Sequence, residues 1–220
     1  MKILAFDFSS PQRSVAVLNA DGRGGTTTTS EVVDASPGNS MLPLSMVERA
    51  LKQSGLERGQ IECIAVGIGP GSYTSIRVAI SLAQGWQIAT SVKLCGVSSV
   101  ECIAAQTVEE GIHRPFSVVV DAQRGEFYLA GYDCPDDKPH ATSPLRIASA
   151  AEVRAREKAG DILVGPEVMR WFPEGRLICP RAGTVGKLAQ ARDWFISGEA
   201  LEPIYLRETQ FVKAPPPRFV

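Results

Sequence analysis

The sequence predicts an α/β protein whose two halves follow one plan, and three observations carry that expectation. Each half opens on an apolar strand that ends in an aspartate, Asp7 in the first and Asp121 in the second. A tight hairpin and a second apolar strand follow each aspartate. Each half then alternates helix with strand, so two β-β-β-α-β-α units with a cleft between them are expected. On element order alone, the alternative is one irregular α/β sheet without duplication.

In the first half, Ile3-Leu4-Ala5-Phe6 reads as a buried strand, residues 14–18 as its partner, and the β-branched stretch 26–33 as a third strand. Asn39 and Ser40 can cap a helix with Pro43 in its first turn. Leu44, Val47 and Leu51 keep helical spacing, and Gly55 suits the exit. A buried strand over 61–68, a long helix over 72–90, a strand over 93–97 and a helix from Ser98 to about Gln106 follow.

The second half repeats the order. Residues 116–121 read as a strand, Gln123-Arg124-Gly125 as a turn, and 126–132 as the returning strand. Strands are expected over 144–148, 161–164 and 176–179, with helices over 150–158 and 185–196. Pro215-Pro216-Pro217 marks 208–220 as an extended tail. The expected division is an N-terminal lobe, 1–100, and a C-terminal lobe, 101–207.

Composition narrows the function classes. A hydrophobic content of 44% is enough for a core without disulfides. A formal net charge of −1 lacks the basic excess of a chain that grips nucleic acid by itself, so any such role runs through a partner. The five cysteines form no C-x-x-C pair, which argues against a disulfide framework or a zinc knuckle and for a reducing compartment. Residues 1–8 lack a signal-peptide pattern, and no uncharged run is long enough for a bilayer. A cytoplasmic chain with no membrane contact is expected.

Few residues offer chemistry. His113 and His140 belong to no metallopeptidase spacing, and G-x-S-x-G is absent. Gly67-Ile68-Gly69-Pro70-Gly71-Ser72 joins a strand to a helix, so Gly69, Gly71 and Ser72 could present backbone N–H groups to a phosphate. A tight turn with a Ser cap is the reading that chemistry alone favours, because neither the Walker A nor the Rossmann spacing is met. Asp7 and Asp121 could hold a metal–phosphate complex across the cleft. Asp7-Phe8-Ser9-Ser10 has side chains where actin-like ATPases carry a glycine, so the site reads as degraded, with both aspartates stabilising turns.

The long helix carries a different signal. Arg77 is its only charge between Ser72 and Val92. Ile76, Ile80 and Ala83 line one face, while Val78, Leu82 and Ala89 lie around the axis. A helix apolar on most sides needs cover on most sides. A sheet covers one, and a neighbouring helix or another subunit covers the other. Pairing with the first helix would leave a ridge including Met41, Leu44 and Ala79.

Four stretches then resemble the TsaB (YeaZ) family of bacterial tRNA threonylcarbamoyladenosine biosynthesis subunits. They are Ile3-Leu4-Ala5-Phe6-Asp7 with Ser14-Val15-Ala16-Val17, the run from Gly67 through Tyr73-Thr74-Ser75-Ile76-Arg77, Asp121-Ala122-Gln123-Arg124-Gly125-Glu126-Phe127-Tyr128, and Pro203-Ile204-Tyr205-Leu206-Arg207. The resemblance implies an actin/Hsp70-like fold (ASKHA), two-lobed and built from duplicated RNase H-like units. It implies a non-catalytic scaffold that pairs with a TsaD-like paralogue to form N6-threonylcarbamoyladenosine at tRNA position 37, with a TsaE-like ATPase joining. Pairing, or a homodimer through the same surface, would use Met41, Leu44, Tyr73, Ile76, Ala79, Ile80 and Ala83. tRNA would be met only through the complex. Where TsaD-like proteins carry metal histidines, this chain reads Gly38-Asn39-Ser40-Met41-Leu42-Pro43, so no metal or cofactor is expected. Asn39 also departs from the histidine that many family members have there. An independent actin-like ATPase or small-molecule kinase is the alternative, and a peptidase is disfavoured by its missing ligands.

Overall fold

The computed structural model describes residues 1–20, 25–36 and 41–207. Strand β1 (Lys2–Asp7) is buried from Ile3 onward, as a central strand with both faces covered must be. It pairs antiparallel with β2 (Arg13–Ala20), which pairs antiparallel with β3 (Thr26–Asp34). On its other side β1 runs parallel to β4 (Cys63–Gly67), and β4 to β5 (Lys93–Val97). The order is β3-β2-β1-β4-β5.

The second sheet copies this plan. Strands β6 (Phe116–Asp121), β7 (Glu126–Asp133) and β8 (His140–Ser149) form the antiparallel part, and β9 (Ile162–Gly165) and β10 (Arg176–Leu177) the parallel part. Its order, β10-β9-β6-β7-β8, is the first sheet's order read from the other edge. Asp7 pairs with Ser14 and Asp121 with Phe127, so each aspartate ends its first strand at a hairpin. The duplication is real, and the single-sheet alternative is excluded. Two such units side by side give the actin/Hsp70-like arrangement.

Helices complete the layers. α1 (Pro43–Ser54) and α2 (Tyr73–Thr90) share one face of the first sheet, over Leu4, Phe6, Val15, Val17, Ile64 and Val66. Pro43 occupies the first turn of α1, where its missing N–H costs nothing, and Gly55 ends the helix at φ +68. The expected caps Asn39 and Ser40 lie outside the described residues, as does the tail 208–220. α3 (Ser99–Glu109) packs its Val100, Ile103 and Ala104 with Phe116, Val118 and Val120 of the second sheet. α4 (Ala150–Lys158), opened by a reciprocal Ser149–Glu152 capping box, covers that sheet's far face with Phe172.

α5 (Ala182–Gln190) returns to the first sheet. Its Ala182, Val185 and Ala189 meet Ile3, Ala5, Ala16 and Leu18 on the face opposite α1 and α2. The helix expected over 185–196 thus starts earlier and stops at Gln190. The chain unwinds because Arg192 pairs with Glu101 and Ile196 bridges to Leu94, which a continuing helix would forbid. Strand β8 is longer than the expected 144–148, since Pro144 sits in an edge strand, where no ladder donor is lost. Among the described residues, no helix is long and apolar enough to cross a membrane.

Candidate functional site

Between the two sheets lies a cleft of about 650 Å³, lined from the first unit by Ser9, Ser10, Arg13 and Ser72 and from the second by Asp121, Gln123 and Arg124. Asp7 does not line it. The carboxylate is wholly buried, with Oδ1 accepting from the Ser9 N–H at 2.9 Å and the Ser9 hydroxyl at 2.7 Å. Oδ2 accepts from the Ser99 hydroxyl at 2.7 Å. A Cβ on Gly67 would stand 2.0 Å from Oδ2, so the glycine is what makes room for the carboxylate. Burial pushes the Asp7 carboxyl up to about 6, against the hydrogen bonds from Ser9 and Ser99 that favour the ionised form.

The glycine loop turns inward at Gly69, which is buried, while Gly71 and Ser72 line the cleft. Gly69, at φ +87, donates its N–H to Ser99 Oγ at 3.2 Å and accepts the Ser99 N–H at 2.9 Å. Gly71 lies so close to the β1–β2 hairpin that a Cβ would sit 2.1 Å from the Ser9 carbonyl oxygen. The Ser72 N–H, at the start of α2, donates to that same oxygen at 2.7 Å. The open backbone at Gly71 and Ser72 therefore serves backbone-to-backbone packing on Ser9. Ser72 stands at the cap position, but its hydroxyl bonds Ser75 Oγ at 3.0 Å rather than a helix N–H.

Asp121 differs from Asp7 in lining the cleft. Oδ1 accepts the Gln123 N–H at 2.7 Å, so the side chain stabilises its turn. The two aspartates therefore do not converge on one point in the cleft. Among the described residues, no group of three or more His, Cys, Asp or Glu side chains could hold a metal ion.

The outer helical face needs a correction. Ile76, Ala79, Ile80 and Ala83, expected at a subunit interface, are all buried in the first-sheet core. They recur at the i, i+3, i+4, i+7 spacing of one helix face, and that face is the one the sheet covers. Val78 lies on the opposite face and Ile88, 87% exposed, on its flank, with Leu82 half-buried, while Tyr73 stands 48% exposed at the leading end of the buried stripe. On α1 and just before it, Leu44 is 54% and Leu42 71% exposed, while Met41 is half-buried against the core. Of the expected interface residues, Leu44 and Tyr73 reach solvent freely. Leu42, Val78 and Ile88 belong with them, and the apolar character of α2 on both sides was the signal that could have found the last two.

Ser99, Tyr205 and Arg207 escaped the sequence reading as site residues. The Tyr205 ring rests on Tyr73 with centroids 5.7 Å apart, and Arg207 reaches the turn after Asp121. Only the family resemblance of the stretch 203–207 pointed toward the last two.

Comparison with known proteins agrees with this geometry. Residues 38–207 match the family model described as TsaD: tRNA N6-adenosine threonylcarbamoyltransferase. The Escherichia coli tRNA threonylcarbamoyladenosine biosynthesis protein TsaB is 26% identical over 94% of this chain and 95% of its own length. The Haemophilus influenzae protein of the same name is 32% identical over 59% of this chain and 53% of its own. YeaZ from Pseudomonas aeruginosa superposes with a TM-score of 0.74 at 23% identity, covering 93% of this chain and 99% of that one, which shows a shared fold. A second P. aeruginosa structure, of a protein described as similar to peptidase YEAZ, reaches 0.77 at 23% identity over 94% and 99%. The chain belongs to the TsaD-related tRNA threonylcarbamoyladenosine family, in its TsaB (YeaZ) group.

Proposed function

We propose that this chain is the non-catalytic scaffold of a threonylcarbamoyl transfer to adenosine 37 of tRNA, and that it acts by pairing with a TsaD-like enzyme. One observation carries the reading: the exposed face of α2, whose single charge is Arg77, lies beside a cleft where the Ser72 and Gly69 N–H groups already bond Ser9 and Ser99. A surface helix that presents Tyr73, Val78 and Ile88 to water calls for a partner. A loop whose Ser72 N–H is spent on the Ser9 carbonyl and whose Gly69 N–H is spent on the Ser99 hydroxyl is a poor cradle for a nucleotide.

On this reading a TsaE-like ATPase joins the pair, the same strip supports a homodimer when the partner is missing, and tRNA is met through the complex in the cytoplasm. On this reading the expected lobes 1–100 and 101–207 are redrawn as residues 1–98 with 182–207, and 99–181, which the packing of α5 on the first sheet supports. The names of the TsaB relatives supply the reaction, and the matched TsaD family supplies the partner's chemistry.

Size-exclusion chromatography of this chain mixed with the TsaD-like protein of the same organism tests the reading. Co-elution is expected, and separate elution under every nucleotide condition refutes it. The competing reading, an independent actin-like ATPase or small-molecule kinase, requires micromolar binding of magnesium ATP to the lone chain. Calorimetry on the isolated chain, expected to be silent, separates the two.

A further inference from the structure

Residues 201–207 form a strap from one lobe to the other. Leu201 is buried in the first-sheet core, and the Ile204 N–H donates to the Ile68 carbonyl at 2.8 Å. Tyr205 then packs on Tyr73, the first residue of α2, whose hydroxyl accepts from Arg77 Nη1 at 3.2 Å. Arg207 crosses to the β6–β7 turn. Its Nη2 donates to the Ala122 carbonyl at 2.8 Å and to Glu126 Oε2 at 2.8 Å, with the Gln123 carbonyl at 3.4 Å.

The gripped turn is strained. Gln123, Arg124 and Gly125 take φ of +65, +60 and +77, and the first two carry a Cβ that disfavours this region. Such a backbone persists where its surroundings hold it. Asp121 holds this turn from within its own lobe. Among the described residues, the hydrogen bonds that tie residues 121–126 to the strap all come from Arg207. Away from the strap the lobes also meet through Ser99 on Asp7 and Gly69, through the ion pairs of Arg181 with Glu31 and Arg192 with Glu101, and through Lys187 with Glu109 at 3.0 Å.

We infer that Arg207 is a latch that holds the β6–β7 turn against the strap and, through Tyr205 on Tyr73, fixes the leading end of the docking helix. This rests on the proposal that α2 receives the partner, and adds a positioning residue that lies off that surface. Freeing Arg207 lets the turn leave the strap, so Tyr205 loses its tether on one side and Tyr73 its packing.

The test compares the intact chain with Arg207→Ala and Glu126→Gln, reading hydrogen exchange at the Ala122 and Glu126 amides and calorimetric affinity for the TsaD-like protein. Arg207→Ala is expected to speed exchange at these amides about tenfold, the scale of losing a charge-assisted hydrogen bond. Partner affinity falls about fivefold by the same reasoning, and Glu126→Gln shifts both readouts the same way by less. Unchanged exchange in Arg207→Ala overturns the latch, as does faster exchange with wild-type affinity. If Arg207→Ala misfolds, Glu126→Gln decides by the same criteria. If the unmutated chain does not bind the partner, the docking proposal falls, while exchange in the free chain still decides the latch.

Discussion

Replacing Asp7 with Asn should reverse sign with pH. Burial holds the carboxyl at about 6 where an exposed aspartate has 3.8. The folded chain therefore keeps its proton more firmly than the unfolded chain. The contribution of Asp7 to stability is greatest below 3.8, falls as pH rises toward about 6, and is level above that. A shift of about two units corresponds to about 3 kcal/mol of destabilisation at neutral pH. The asparagine amide carries no charge and removes that slope. It also replaces an acceptor, since the Ser99 hydroxyl donates to Oδ2 while its oxygen already accepts from Gly69. Leaving that hydroxyl proton without an acceptor costs about 1–2 kcal/mol. The difference decides: Asp7→Asn should be more stable than wild type by about 1–2 kcal/mol at pH 8 and less stable by a similar amount at pH 4. Urea titrations of both proteins across this range measure it, with other titrating groups cancelling in the difference. A gap between the two proteins that ignores pH, or a variant weaker than wild type at pH 8, would refute the reasoning. Asp7→Asn should also leave partner affinity unchanged, because the carboxylate faces the core rather than the cleft.

Other substitutions separate core from docking surface. Ile80→Glu places a charge against the first sheet and should cost at least about 3 kcal/mol, seen as loss of a cooperative melt in the lone chain. Val78→Glu and Ile88→Glu, on the outer face of the same helix, should shift stability by no more than about 0.5 kcal/mol while abolishing co-elution with the TsaD-like protein. Gly71→Ala forces a methyl group onto the Ser9 carbonyl and should lower stability by about 2–4 kcal/mol in urea, since backbone on both sides has little room to yield.

Much of this fold was legible because local patterning and tertiary packing agree. Strands over 93–97 and 116–121 and the helix over 150–158 fall where apolar runs and good helix formers place them. Helix α2 was legible as a helix but not in its orientation. Periodicity groups Ile76 with Ala79, Ile80 and Ala83, and says nothing of whether that group or the one with Val78 meets the sheet. The end of α5 depended on partners far along the chain, Leu94 for Ile196 and Glu101 for Arg192. Asp7 was legible as a strand-ending acid before a hairpin. Its occupation by Ser99 is set by the packing of α3 and leaves no local trace.

The return of α5 to the first sheet has a bearing on synthesis. Until about residue 190 has left the ribosome, the back of the leading sheet, with Ile3, Ala5, Ala16 and Leu18, has little of its own to rest on beyond Cys102 of α3. The amino-terminal half therefore cannot mature as an independent nascent domain, and a polypeptide cut short after the second sheet would expose that bare apolar surface to chaperones and proteases.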